Sequence, residues 1–364
     1  MGYVAVRGGE KAIEYACKLL EYQRLKGKSK LLSVDQIVEQ LYFLVDRVMS
    51  EGSLYAPKLA ALAIKQAAGD LLEASFILRA SRNTLPSLGY SLPIKTDKMR
   101  IIRRISAAFK DIPGGQILGP TSDYCLRLFR FELLEENEDK RKKFMKELLG
   151  ELGEEDLPAE FPKIVEILRK EGLVVEAPSH QSTEFVDITK EAVSSFPPPR
   201  SALLQAMARA ETGGLLLLAY SNMRGYGDIH PTVAELRVGY APVTVLHPYT
   251  GEEIYVGEVK ITEVELVAKI ESQEGIPKFS LGYGACFGHN ETKAICMAVL
   301  DKAMQTQEPK NPSEDSEFVF YHIDSVDSMG FANHYKLPHY VTFQSDLDRL
   351  RKIQSQFMEV KNEA

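Results

Sequence analysis

No stretch of the 364 residues is long and apolar enough for a membrane-spanning helix. The most conspicuous apolar run, Leu215–Tyr220 after Gly213 and Gly214, falls well short of the about 20 residues a span needs. It reads instead as a buried strand or a short core helix. The N-terminal Met1–Arg7 has no basic start leading into an apolar stretch, so no secretory leader is expected. Gly2 is not followed by Ser or Thr at position 6, which argues against myristoylation. Cysteine is scarce: Cys17, Cys125, Cys286 and Cys296 are scattered and form no disulfide framework, zinc ribbon or iron–sulfur set. A cytoplasmic location is therefore expected. Positive charge is not in excess either. The formal net charge is −7, which disfavours a general nucleic-acid binder while leaving room for a small anion held by local Arg and Lys.

What is present suits a folded chain. Hydrophobic residues make up 45% and charged residues 26%, enough for a sizeable core. Residues 1–100 read as a helical N-terminal domain. Ser33-Val34-Asp35-Gln36 is a capping-box signature, followed by Ile37, Leu41, Leu44, Val45 and Val48 on one helical face. Lys58 to Arg82 reads as one long helix closed by Pro86 and Gly89. Residues 101–135 form a basic, Gly/Pro-containing region, and residues 136–200 a charged helix and linker ending in Pro197-Pro198-Pro199. Residues 201–364 alternate in strand fashion from Val243 to Val267 around a His247–Gly251 turn, with helices expected near Asn290–Gln305 and from Ser345 onward. Helices and antiparallel strands are segregated, so the expected class is α+β, a helical N-terminal region followed by antiparallel strands flanked by helices.

Four segments can carry chemistry, each with an ordinary alternative. In Arg103–Pro120, the N–H groups of Gly114 and Gly115 with Arg103 and Arg104 make an anion cradle, or else a tight turn after a basic helix. In Arg224-Gly225-Tyr226-Gly227, with His230 and Pro231 following, Arg224 can grip a phosphate bidentately, or sit on a strand-end turn. Gly282–Asn290 is a Gly-rich stretch entering a helix: an anion site, or a helix entry capped by Asn290. In Gly330–Tyr340, His334 and His339 are five residues apart, roughly 140° around a regular helix, so they meet at one centre only if the segment turns. Two histidines leave zinc short of ligands, with His322, Asp324 and Asp327 just upstream to contribute; the ordinary alternative is two unrelated structural histidines.

Taken together and in order, these segments resemble the PhnI family, the I subunit of the carbon–phosphorus lyase core complex. The matching stretches are Ala5–Ile13, Asp46–Met49, Leu59–Asp70, Arg103–Tyr124, Leu218–Pro231, Gly282–Ala298 and His322–Gln344. The segment from Glu135 to Pro199 carries no recognised pattern. The resemblance implies a role in phosphonate catabolism, in which ATP loses adenine as its ribose 5-triphosphate moiety passes to methylphosphonate. The product is α-D-ribose 1-methylphosphonate 5-triphosphate. It implies a nucleosidase activity of the isolated chain on ATP or GTP. Partners would be the G, H, J and K subunits and the L subunit, and zinc would sit on His334 and His339 near the J subunit.

That reaction builds positive charge on the ribose ring and needs only one inversion, from the β nucleotide to the α product. The site therefore needs a carboxylate near the cationic ring, for which Asp324 and Asp327 are candidates. It needs protonation or hydrogen bonding of departing adenine, and cations for the triphosphate and phosphonate, for which Arg103, Arg104, Arg224 and Lys336 are candidates. Two other readings stay open: a non-catalytic scaffold subunit completing a partner's active site, and a stand-alone zinc hydrolase.

Overall fold

The structure, a computed structural model, describes residues 9–151, 153, 158, 161–175, 185–226, 231–273 and 276–363. Gly2, Gly227, His230 and the first four residues of the Ala5–Ile13 match lie outside the described residues. The class is α+β: thirteen α-helices among the described residues surround one four-stranded antiparallel sheet.

The N-terminal helices are α1 (Glu10–Leu25), α2 (Val34–Gln40), α3 (Tyr42–Gly52), α4 (Pro57–Gln66) and α5 (Leu71–Asn83). The capping box is formed: Ser33 Oγ accepts from the Gln36 N–H at 3.1 Å, and the Gln36 side chain accepts from the Ser33 N–H at 2.8 Å. Helices α2–α5 close around Ile37, Val45, Val48, Met49, Ala60, Ile64, Ala74 and Leu78. The long helix expected over Lys58–Arg82 is broken in two. Ala68 and Gly69 turn left-handed at φ 52° and 92°, and the Asp70 carboxylate then caps the N–H groups of Leu72 and Glu73. A left-handed stop followed directly by a capping acid outweighs helical periodicity.

The sheet comprises β1 (Arg100–Ile105), β2 (Thr232–Leu246), β3 (Glu253–Gln273) and β4 (Ile276–Phe287), in that spatial order. The His247–Gly251 turn joins β2 to β3, with His247 Nδ1 accepting from the Thr250 N–H at 3.0 Å. Arg103 and Arg104, expected on a basic helix, lie instead on β1, where Ile101, Ile102 and Ile105 favour a strand. Because β1 pairs with β2, the sheet crosses the boundary expected at residue 200.

The two faces of the sheet differ sharply. One presents Leu236, Val238, Val264, Leu266 and Cys286 to the main core, completed by α8 (Arg200–Arg209), α9 (Thr212–Ser221) and α10 (Glu291–Ala303). The Leu215–Tyr220 run lies in α9, with Leu215 and Ala219 inward at helical spacing. The other face carries Glu235, Arg237, Glu263, Glu265 and Tyr283 as cross-strand neighbours beneath residues 161–174, which include α7 (Ile164–Lys170). Glu263 accepts from Thr96, Lys163 and Tyr283 at 2.8–2.9 Å. Glu265 meets Lys163 at 3.3 Å, and burial pushes its carboxyl up to about 7.

A carboxyl raised above the ordinary glutamate value binds its proton more tightly folded than unfolded. Its contribution to stability is therefore complete below about pH 4.5 and is lost as pH rises through about 7. Raising pH from 5 to 8 is expected to lower the urea midpoint. Glu265→Gln should flatten that dependence and exceed the parent by about 2 kcal/mol at pH 8. An unchanged pH slope in the variant would remove Glu265 as the cause.

Helix α6 (Glu138–Glu151) precedes α7, and α11 (Ser316–His322), α12 (Ser325–His334) and α13 (Tyr340–Glu363) close the chain. The last helix begins five residues earlier than the Ser345 start expected from the sequence. Helices α1 and α6 bury no residue, and α13 leaves Leu350 and Phe357 exposed at 53% and 73%. Among the described residues, no helix is long and apolar enough to cross a membrane.

Candidate functional site

The residues singled out in the sequence are dispersed. Arg104 is fully buried, its Nε donating to Glu235 at 2.5 Å and its Nη atoms to the carbonyls of Pro113, Gly115 and Pro162 at 2.6, 3.0 and 2.7 Å. Gly114 and Gly115 make the expected turn at φ 85° and 77°. Yet the turn offers carbonyl oxygens to a buried cation, and the Gly115 N–H is taken by Ile112 O at 2.9 Å. Arg104 is therefore spent on Glu235 and on carbonyls of its own surroundings, and the Gly115 N–H on the turn itself, in place of the anion that the cradle reading gave them. Asp324 caps α12 through the N–H groups of Val326 and Asp327, and both its oxygens accept from Arg79 Nη1 at 3.0 and 2.8 Å. Asp327 is exposed beside it, its carboxyl raised by desolvation and then by the Asp324 charge. Arg224 and Lys336 are exposed, on the Asn222–Tyr226 turn and between the two histidines.

His334 and His339 do come together. His334 ends α12, the chain turns at Tyr335–Pro338, and α13 starts after His339, leaving the imidazole centroids 5.4 Å apart. His334 Nδ1 contacts Phe331 O, and His339 Nδ1 contacts Leu337 O at 2.6 Å. A carbonyl only accepts, so each Nδ1 carries a proton, and Nε2 is the nitrogen of each ring that remains for a metal. That is the tautomer a metal ligand needs, fixed by carbonyl contacts. Among the described residues, no group of three or more His, Cys, Asp or Glu could hold a metal. A complete stand-alone zinc centre is therefore not formed by them.

A different place gathers more chemistry. A cavity of about 460 Å³ opens between α3, the loop after β1 and the start of α10, lined by Arg47, Thr121, Asp123, Arg127, His289 and Glu291. Three of the segments on which the family resemblance rests meet there: Asp46–Met49, Arg103–Tyr124 and Gly282–Ala298. Arg103, fully buried, lies between two carboxylates, pairing with Asp123 through Nη2 and with Glu291 through Nε at 2.9 Å. Glu291 Oε1 is also 2.7 Å from His289 Nε2.

The turn carrying His289 is anchored from below. Gly288, at φ 77°, passes so close to α3 that a Cβ would fall 2.4 Å from that of Asp46. Asp46 accepts the His289 N–H at 2.9 Å and pairs with Lys260 at 3.1 Å. Asn290 caps α10 and donates to Thr212 at 2.9 Å, and Thr212 donates to the buried Glu51. Arg47 bridges Glu51, at 2.9 Å, and Glu211. Beneath them Lys293 is fully buried, its Nζ 2.7 Å from both Ser50 Oγ and Ala208 O, and burial lowers its pKa. Such a network holds the turn rigid, which preorganises the groups above it.

Sequence reasoning named His289 and Asn290 as a helix entry and missed Arg47, Asp123 and Glu291. The available signal was the acid immediately after the capping Asn290, together with a histidine just before it. The expected Gly-rich loop is mostly strand: Gly282 and Gly284 belong to β4, and only Gly288 makes the turn.

Over residues 2–357 the chain matches the family described as bacterial phosphonate metabolism protein (PhnI). It is 57% identical to a putative C-P lyase subunit protein HtxH of Stutzerimonas stutzeri, covering 97% of this chain and 96% of that one. Two proteins named alpha-D-ribose 1-methylphosphonate 5-triphosphate synthase subunit PhnI are also similar. That of Rhizobium meliloti (strain 1021) is 45% identical over 96% of this chain and 94% of its own, and that of Escherichia coli (strain K12) 44% over 97% and 99%. The chain therefore belongs to the PhnI family of bacterial phosphonate metabolism proteins.

Proposed function

We propose that this chain is the ribosyl-transferring subunit of an α-D-ribose 1-methylphosphonate 5-triphosphate synthase, acting on ATP and an alkylphosphonate with release of adenine. The observation that carries the reading is the cavity whose lining carboxylates, Asp123 and Glu291, are both held by Arg103, where separated family-like segments bring cations and carboxylates around one space of about 460 Å³. Arg47, Arg127 and the N-terminus of α10 supply the positive end for triphosphate and phosphonate oxygens. Asp123, 44% exposed and held by Arg103, faces the ring cation in place of Asp324, which is committed to Arg79. The bond to adenine breaks as a phosphonate oxygen enters from the opposite face, giving one inversion and no sugar–enzyme bond. When phosphonate is absent water takes its place, which is the nucleosidase reaction.

The exposed apolar faces of α1, α6 and α13 support assembly with the other carbon–phosphorus lyase subunits, G, H, J and K together with L. His334 and His339 would hold zinc through Nε2, with remaining ligands from water or a partner. Zinc held there would supply Lewis acidity at the boundary with the J subunit. His334→Ala and His339→Ala are each expected to lower the zinc content of the assembled complex by half or more while leaving nucleosidase turnover of the isolated chain within about twofold. Unchanged zinc in both variants would remove the pair as ligands.

The principal test incubates this chain with its partner subunits, ATP and methylphosphonate, and follows adenine by chromatography. Phosphonate-dependent release is expected. No release under any combination of subunits would overturn the enzymatic reading in favour of a scaffold.

A further inference from the structure

We propose that His289 is the acid that protonates the departing purine, with Glu291 as its positioning residue; this rests on the ribosyl-transfer reading above.

The argument starts at one hydrogen bond. His289 Nε2 lies 2.7 Å from Glu291 Oε1, and an ionised carboxylate can only accept, so Nε2 carries a proton in either charge state of the ring. The other ring nitrogen, Nδ1, has no hydrogen bond to any described residue and belongs to a side chain that lines the cavity. Glu291 in turn is fixed by Arg103 at 2.9 Å, and the His289 backbone is fixed by Asp46 at 2.9 Å. Phe43 packs edge-on against the imidazole, with centroids 5.3 Å apart. One nitrogen is tethered to a carboxylate and the other is open to the site, which is the arrangement of a histidine oriented for proton transfer. The charged groups around it are Asp46 and Arg47 from α3, Arg103 from β1, Asp123 and Arg127 from the following loop, and Glu291 from α10.

The chemistry calls for such a group. The glycosidic C–N pair leaves with the purine, and a purine anion is a poor leaving group unless a ring nitrogen is protonated as the bond breaks. The imidazolium Nδ1–H passes its proton to that nitrogen while a phosphonate or water oxygen forms the new bond to the anomeric carbon. Neutral His289 then regains a proton from solvent or from the entering nucleophile. The ring cation faces Asp123, and the transient imidazolium charge faces Glu291. The two carboxylates on Arg103 therefore serve opposite ends of one breaking bond.

The experiment compares two leaving groups in the assembled complex: adenine from ATP, and 4-nitrophenolate from 4-nitrophenyl β-D-ribofuranoside 5-triphosphate, which departs without protonation. His289→Ala is expected to slow adenine release by about 100- to 1,000-fold while nitrophenolate release stays within about 10-fold of the parent. Glu291→Gln, which keeps the side-chain shape, should show the same selectivity with a smaller loss, on the order of 10-fold. Retained nitrophenolate release also reports that the variant is folded. Equal losses on both substrates in both variants, or no loss on ATP, would overturn the assignment. Failure of the unaltered complex to release adenine would instead overturn the ribosyl-transfer reading beneath it.

Discussion

Gly284→Ala is expected to destabilise the protein by about 3 kcal/mol or more and to impair adenine release with it. The reason is the seam between β4 and α10. A Cβ at Gly284 would sit 2.1 Å from Ala294 O, 2.8 Å from Met297 Cβ and 2.9 Å from Ala298 N. At Gly282 it would sit 2.1 Å from Ala298 O. These neighbours are helix backbone and its first side-chain atoms, so no flexible side chain can step aside. The helix must move off the strand instead, and α10 is the element that carries Glu291, with His289 and Asn290 on the turn entering it. Its core-facing side is fully packed, with Ala294, Met297, Ala298 and Val299 all buried, so a shift costs contacts along its whole length. Gly330→Ala is the control. That glycine lies within α12 with nothing inside 4 Å of its Cβ position, so the change should be neutral or stabilising by up to about 1 kcal/mol. Chemical denaturation of the three proteins, read together with adenine release, checks the pair. A Gly284→Ala variant of parental stability would mean that the seam yields.

Much of the local structure was legible because it is written in short-range chemistry. The Ser33 capping box, the Asn290 cap and the His247–Gly251 turn each depend on residues within a few positions of one another, and each is formed. What was not legible depends on partners far along the chain. Arg103-Arg104 reads as a helix's basic patch until Glu235, Asp123 and Glu291 are seen to surround it. Gly282 and Gly284 read as a ligand loop because a close helix–strand seam and a phosphate loop call for the same residue. The candidate site was legible only in pieces. Spacing and Pro338 meant that His334 and His339 could meet only across a turn, and their rings lie 5.4 Å apart across one. The cavity beside Arg103 was not legible because its lining comes from α3, the loop after β1 and the start of α10, and nothing local in any of the three says that they meet.

Arg103 and Arg104 are adjacent yet face opposite sides of the sheet, as strand geometry requires, and their replacements are expected to fail in different ways. Arg104→Met should cost about 3–5 kcal/mol of stability. It leaves Glu235 buried with only Arg237 at 3.0 Å and the Ile164 N–H at 3.1 Å, and it orphans the carbonyls of Pro113, Gly115 and Pro162. Pro113, Gly115 and Pro162 are exposed residues, so the cost falls mainly on Glu235, which is buried. Adding Glu235→Leu should recover part of the loss, because the buried carboxylate goes with it, while buried Arg237 loses a partner. Arg103→Met should be milder in stability, since Asp123 is 44% exposed and can rehydrate. Its effect should fall on turnover. Glu291 and Asp123 lose the cation they share, their repulsion spreads the cavity, and His289 loses a fixed partner. Urea midpoints and adenine release measured on both single variants separate the two. Arg104→Met should move the midpoint most, and Arg103→Met should lose the larger share of activity per unit of stability. The reverse order would mean that the polar face of the sheet, and not the cavity beside α10, is where the nucleotide binds.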